Sequence, residues 1–195
     1  MKKVLQNKQL IVAGIWLLAL VSVLYVYFFH QAFLHAQFTR IAETSIFLAY
    51  AVLLLVGSLR GFVLIPATYL IVLGLLFFPP WPLYFIIVAG IMISSVSVYY
   101  FSEFLHLDAL FEKKHHRQVA WVRRGLQKYE LPIIIGWSAC PVLPTDLICY
   151  ICGTLRVNLP KFLLGLFIGE TIMCAIYIFV GHRVMEYLGL VPFLH

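Results

Sequence analysis

The sequence predicts an all-α polytopic membrane protein with about three full spans and two oppositely oriented re-entrant hairpins that form an inverted repeat. Composition is the first ground. Of 195 residues, 63% are hydrophobic and 11% charged, with a mean hydropathy of +0.98, whereas a soluble domain carries about 25% charged residues. The second is the run over 10–29, which is uncharged and has the length that crosses a ~30 Å hydrocarbon core as a helix. The third is a pair of apolar stretches broken by proline: Pro66 and Pro82 recur as Pro144 and Pro160, both shifted by 78 positions. A break in lipid leaves backbone N–H and C=O groups unpaired, which is tolerated only where they are buried in protein or face water. Broken segments at corresponding places in two halves therefore point to a binding cavity.

One membrane domain accounts for residues 1–195, because no polar stretch is long enough to fold alone. The run over 10–29 is a span rather than a cleaved signal peptide: Lys2, Lys3 and Lys8 precede it, but it is too long and lacks a small-x-small cleavage site. Residues 30–45, with His30, His35, Arg40 and Glu43, read as an interfacial connector. The apolar stretch 46–78 is too long for one crossing and too short for two with a turn, which predicts the first re-entrant hairpin. Pro79, Pro80 and Pro82 should stop it, since proline cannot continue a helix, and Trp81 and Tyr84 stand where interfacial anchors belong. A span over 82–101 follows, whose Gly90, Ser94, Ser95 and Ser97 allow close helix approach.

Residues 102–130 mix Lys113, Lys114, Arg117, Arg123, Arg124 and Lys128 with apolar residues and read as an amphipathic loop. Lysine and arginine near span ends favour the cytoplasmic side, so this loop and the N-terminus are both expected there. The second hairpin is expected over 131–155, divided by Pro132, Pro141 and Pro144, and the last span over 161–181, with the C-terminus outside. The plasma membrane is the expected location. Cys140, Cys149, Cys152 and Cys174 all lie in apolar segments, which argues against a disulfide framework, and Cys149-x-x-Cys152 reads as two small packing residues.

With these elements placed, the chain resembles the DedA/VTT superfamily, also called the SNARE-associated or vacuolar-type family, over residues 55–181. The resemblance rests on Leu59-Arg60-Gly61-Phe62-Val63-Leu64-Ile65-Pro66-Ala67-Thr68 with Gly74, on Pro141-x-x-Pro144-Thr145-Asp146-Leu147-Ile148-Cys149-Tyr150 with Gly153, and on Lys161-Phe162-Leu163-Leu164-Gly165 with Gly169. Many DedA members carry an arginine just before the first proline of the second hairpin, where this chain has Ser138-Ala139-Cys140, so it is more similar to the shorter vacuolar-type branch. The resemblance implies two opposed hairpins meeting near mid-membrane and an association with moving phospholipids or polyprenyl phosphates between leaflets.

Four charged residues stand out. Arg60 is a lone cation between apolar runs; its planar fork suits phosphate, while a snorkelling arginine at the hairpin mouth is the plainer reading. Thr145-Asp146 falls where a half-helix restarts after Pro144, and either capping or a proton relay accounts for an acid there. Glu170 is an intramembrane carboxylate and by default a functional candidate, whereas Glu103 at a span end already has access to water. His115-His116 lacks partners at metal-ligand spacing, and no nucleophile elbow, phosphate loop or zinc motif occurs. No catalysis, metal, cofactor or nucleic-acid partner is expected.

Joined to the resemblance, these residues give one expectation. The tips holding Arg60, Pro66, Thr68, Pro141, Pro144 and Thr145 would receive a lipid phosphate, and Asp146, Glu170 and Glu103 would exchange protons. Half-helix N-termini would add hydrogen-bond donors and partial positive charge. Two other classes fit as alternatives: a non-transporting factor that recruits partners or anionic lipid through the basic loop, and a small-solute or ion transporter using the same cavity.

Overall fold

The computed structural model describes Gly14, residues 39–41, 44–63, 65–105, Gly125, 129–141 and 143–189. The expected span over 10–29, most of the connector over 30–45, the basic residues of the 102–130 loop and His115-His116 lie outside the described residues. Among the described residues all regular structure is helical. Helices α1 (Ile46–Val63), α2 (Ala67–Leu75) and α3 (Pro80–Phe104) precede a helical stretch over 129–138, here α4. After it come α5 (Thr145–Thr154) and α6 (Leu159–Ala175), and α6 runs through a π-helical segment, Ile176–Val180, into α7 (Gly181–Tyr187). Among the described residues, three helices are long and apolar enough to cross a membrane: Ile46–Val63, Pro80–Phe104 and the continuous Leu159–Tyr187.

The 78-residue shift of the prolines is also a shift of structure. Both apolar stretches are broken: α1 stops at Val63 and α2 restarts at Ala67, and α4 stops near residue 138 before α5 restarts at Thr145. Pro66 and Pro144 occupy the two restarts with matching extended backbones, φ −60°, ψ 136° and φ −68°, ψ 121°. In each case the proline carbonyl accepts from the N–H three residues on, Tyr69 at 3.2 Å and Leu147 at 3.1 Å, which closes a tight first turn. The half-helices α2 and α5 have 9 and 10 residues, about 14–15 Å each, half of a bilayer core. The arm before the first break is longer, because α1 with 18 residues reaches about 27 Å.

Two boundaries differ from the sequence reading. Prolines 80 and 82 do not delay the long helix but lie in its first turn, and Pro160 lies in the first turn of α6. The first-turn N–H groups have no intrahelical acceptor, so proline sacrifices no hydrogen bond there. At the other end the final helix continues past residue 181 to Tyr187, since nothing between Ile176 and Tyr187 breaks it and the π segment absorbs one irregular turn.

The chain forms two compact units, residues 1–94 with 174–195 and residues 95–173. Each contains one proline break. In the first, Ala49, Leu53, Leu70, Ile71, Leu83, Ile87, Ile91, Cys174 and Ile178 form the core. There α1 and α3 meet glycine to glycine: a Cβ on Gly90 would stand 3.3 Å from the Gly57 backbone. One turn further along each helix, the Gly61 N–H donates to Ser94 Oγ at 3.0 Å. Small residues four apart on both helices allow this approach, and lipid supplies no hydrophobic force to replace the contacts so gained.

In the second unit α6 packs on α4 through Gly165 and Gly169, which face Ile134 and Ser138. The Gly165-x-x-x-Gly169 face is thus used within the chain. Gly153 of α5 packs against Tyr99 and Ser102 of α3, and Tyr99 donates its hydroxyl to the Val157 carbonyl at 2.6 Å. Outward-facing Phe47, Leu55, Leu59, Phe85, Leu164, Phe167 and Ile172 are exposed. On a soluble protein such a surface would aggregate, and here it is the face turned to lipid.

Candidate functional site

Arg60 occupies the last turn of α1 and is 2% exposed. Its guanidinium Nη1 donates to the carbonyl of Ile65 at 3.2 Å, and the Ile65 N–H donates back to the Arg60 carbonyl at 3.3 Å. The arginine thus closes the break from within, holding a carbonyl of the segment between α1 and α2. A side chain so enclosed by protein does not snorkel out to water. Pro66 and Thr68, at the same break, are exposed.

The second unit places its acids at the second break. Asp146 and Glu170 are 5% and 4% exposed, and Ser138 is 3% exposed. Thr145, the first residue of α5, donates its hydroxyl to Glu170 Oε1 on α6. Pro144 as N-cap supplies no side-chain acceptor to α5, so what holds this helix start is a side-chain bond to a neighbouring helix. Trp137 adds a second tie across the break by donating Nε1–H to the Pro144 carbonyl at 3.2 Å. The loop between is a pair of turns, with Cys140 N–H to Trp137 O at 3.1 Å and Leu143 N–H to Cys140 O at 3.4 Å. Ser138 Oγ, buried where α4 ends, makes no hydrogen bond. Pro141 and Pro144 are exposed.

Glu103 stands apart from these groups. It pairs with Arg156 at 3.5 Å at the end of α3, where both side chains are partly exposed. Arg156 has a left-handed backbone, φ 52°, at the end of α5, a position glycine usually fills. Nearby, Glu130 binds Lys161 Nζ at 3.0 Å and accepts the Asn158 N–H at 2.9 Å, while Asn158 caps α6 through the Lys161 N–H at 3.2 Å. This is a band of paired charges at a helix end, where water is at hand.

The structure therefore groups Arg60 with Ile65 in one unit, and Thr145 with Glu170 in the other. It leaves Glu103 with Arg156. Sequence reasoning missed Trp137, Ser138 and Arg156 as structural partners. The indole seven residues before Pro144 offered a weak signal, and the left-handed arginine offered none.

Apolar helices long enough to cross a bilayer, with buried charges beside two matched breaks, define a helical membrane protein. A family model described as the VTT domain matches residues 65–183, well over half of the chain, including Pro66 and Pro144 at the two restarts and both buried carboxylates. The chain belongs to this family, the DedA/VTT family. No curated protein and no solved structure matches it.

Proposed function

We propose that this protein moves phosphate-bearing lipids, phospholipid or polyprenyl phosphate, between the leaflets of the plasma membrane without covalent chemistry. The observation that carries the reading is the hydrogen bond from Thr145, at the restart of a broken helix, to the buried carboxylate of Glu170. A carboxylate in a bilayer interior is costly unless it is paired or able to take up a proton. As a carboxylate, Glu170 accepts the Thr145 hydroxyl and holds the start of α5 to α6. Once protonated, its O–H needs an acceptor of its own, and the tie weakens. Protonation thus becomes movement of a half-helix whose N-terminus carries the partial positive charge suited to phosphate.

The first unit supports the same reading by other means. Arg60 keeps a permanent charge beside its break, and the exposed Thr68 in the first turn of α2 offers a hydroxyl next to backbone donors. The lipid phosphate would meet these groups while its acyl chains stay in the bilayer. The basic N-terminus and the 102–130 loop face the cytoplasm in this proposal.

The test is leaflet exchange of fluorescent phospholipids in liposomes holding the purified protein, followed from pH 5 to 8. Exchange that is fast in the wild type, lost in Arg60→Ala and no longer dependent on pH in Glu170→Gln supports the reading. No exchange above that of empty liposomes for any lipid would move the assignment to solute transport or to partner recruitment by the basic loop.

A further inference from the structure

At the membrane boundary of the first unit, an open groove of about 650 Å³ is lined by Pro80, Trp81, Phe179, His182, Arg183 and Glu186. Its size falls in the range of ligand sites, roughly 300–1,000 Å³. From Leu159 the final helix has risen about 34 Å by His182, enough to leave a ~30 Å hydrocarbon core. Trp81 stands at the first turn of α3, within an aromatic group of the kind that settles at headgroup level. Its ring packs edge-on with Phe179 at 4.8 Å and stacks with Phe85 at 6.4 Å, yet Trp81 remains 62% exposed.

We propose that this groove binds the headgroup of a zwitterionic bilayer phospholipid. Three features match the two charges of such a headgroup. Arg183 supplies a cation for the phosphate, and Glu186 an anion for the amine. The Trp81 ring supplies an electron-rich face for an ammonium or choline group. Arg183 and Glu186 now bind each other at 3.2 Å with side chains 81% and 45% exposed. An exposed pair of this kind contributes at most about 1 kcal/mol, so it opens readily to the two ends of a zwitterion. His182 lines the same groove with a buried Nδ1 that makes no hydrogen bond, a group that a phosphate oxygen or its water would satisfy.

The groove needs only the placement in the membrane and does not depend on translocation. Its test is a titration of the full chain in detergent with phosphatidylethanolamine, phosphatidylcholine and phosphatidylglycerol of equal acyl length, with bound lipid counted by native mass spectrometry. The zwitterionic lipids are expected to bind about tenfold more tightly than phosphatidylglycerol, and Arg183→Gln to weaken all three. Glu186→Gln should remove the preference, and Trp81→Leu should weaken phosphatidylcholine most. Equal wild-type affinities for the three lipids, or a preference that survives both Glu186→Gln and Trp81→Leu, would overturn the proposal. Exchange without headgroup preference would remove the groove and keep translocation, and preference without exchange would do the reverse.

Discussion

Two buried side chains carry the argument at the residue scale, and their roles can be separated by substitution. Arg60→Ala removes both the charge and the donor to the Ile65 carbonyl. Leaving this partly buried carbonyl unsatisfied costs at most about 1–3 kcal/mol, so thermal stability in detergent should fall along with exchange. Arg60→Lys keeps a charge and one donor but loses the fork, and should recover stability more fully than exchange. Glu170→Gln keeps an acceptor for Thr145 while removing the titratable group. Its melting temperature should stay close to wild type while the change in exchange rate between pH 5 and 8 disappears; a pH profile identical to wild type would remove Glu170 from proton exchange. Arg60 and Glu170 were legible because a lone charge in an apolar run has few places to go. What Arg60 does locally was not legible, since its bond to Ile65 depends on where the helix stops. Ser138 and Arg156 were hidden for the same reason: a serine among small residues and an arginine after a half-helix look ordinary until the backbone is seen.

Proline and glycine set the geometry at the element scale. The 78-residue shift read from Pro66, Pro82, Pro144 and Pro160 reproduces the order of break, half-helix, turn and long helix, with α2 and α5 starting at equivalent positions. The repeat was thus visible in sequence, whereas the first-turn role of Pro82 was misread as a stop. A proline reads alike in a turn and at a helix start until the neighbouring hydrogen bonds are known. Glycines separate into two kinds by what a Cβ would meet. On Gly169 it would collide with Ser138 and approach the Ile135 carbonyl, but on Gly136 it would meet nothing within 4 Å. Gly169→Ala should therefore destabilise the second unit by about 1–3 kcal/mol through overpacking. Gly136→Ala, inside a helix, should be neutral or gain up to about 1 kcal/mol in helix propensity. Paired thermal unfolding of the two variants in one detergent checks both, and a similar loss in each would mean that the α4 to α6 contact is not close-packed.

At the scale of the whole molecule, length and charge together fix how the chain should cross the bilayer. Lys161 and Tyr187 lie near opposite ends of one continuous helix, about 35–40 Å apart along its axis. That distance exceeds a ~30 Å hydrocarbon core, so the two residues cannot both lie on one surface unless the helix lies flat. Lys161 belongs to the band of paired charges with Glu130, and Tyr187 is 91% exposed beyond Arg183 and Glu186. In the orientation proposed above, the lysine- and arginine-rich residues 102–130, which lead into α4, lie at the cytoplasm, and the Lys161 end is expected there with them. The experiment uses single cysteines, Lys161→Cys and Tyr187→Cys, in a background with Cys140, Cys149, Cys152 and Cys174 changed to alanine, labelled by a membrane-impermeant maleimide. Tyr187→Cys should react in intact cells, and Lys161→Cys only after the membrane is opened. Reaction of both from one side would show that Leu159–Tyr187 does not cross. The opposite pattern would keep the crossing and reverse the orientation, placing the zwitterion groove on the cytoplasmic face.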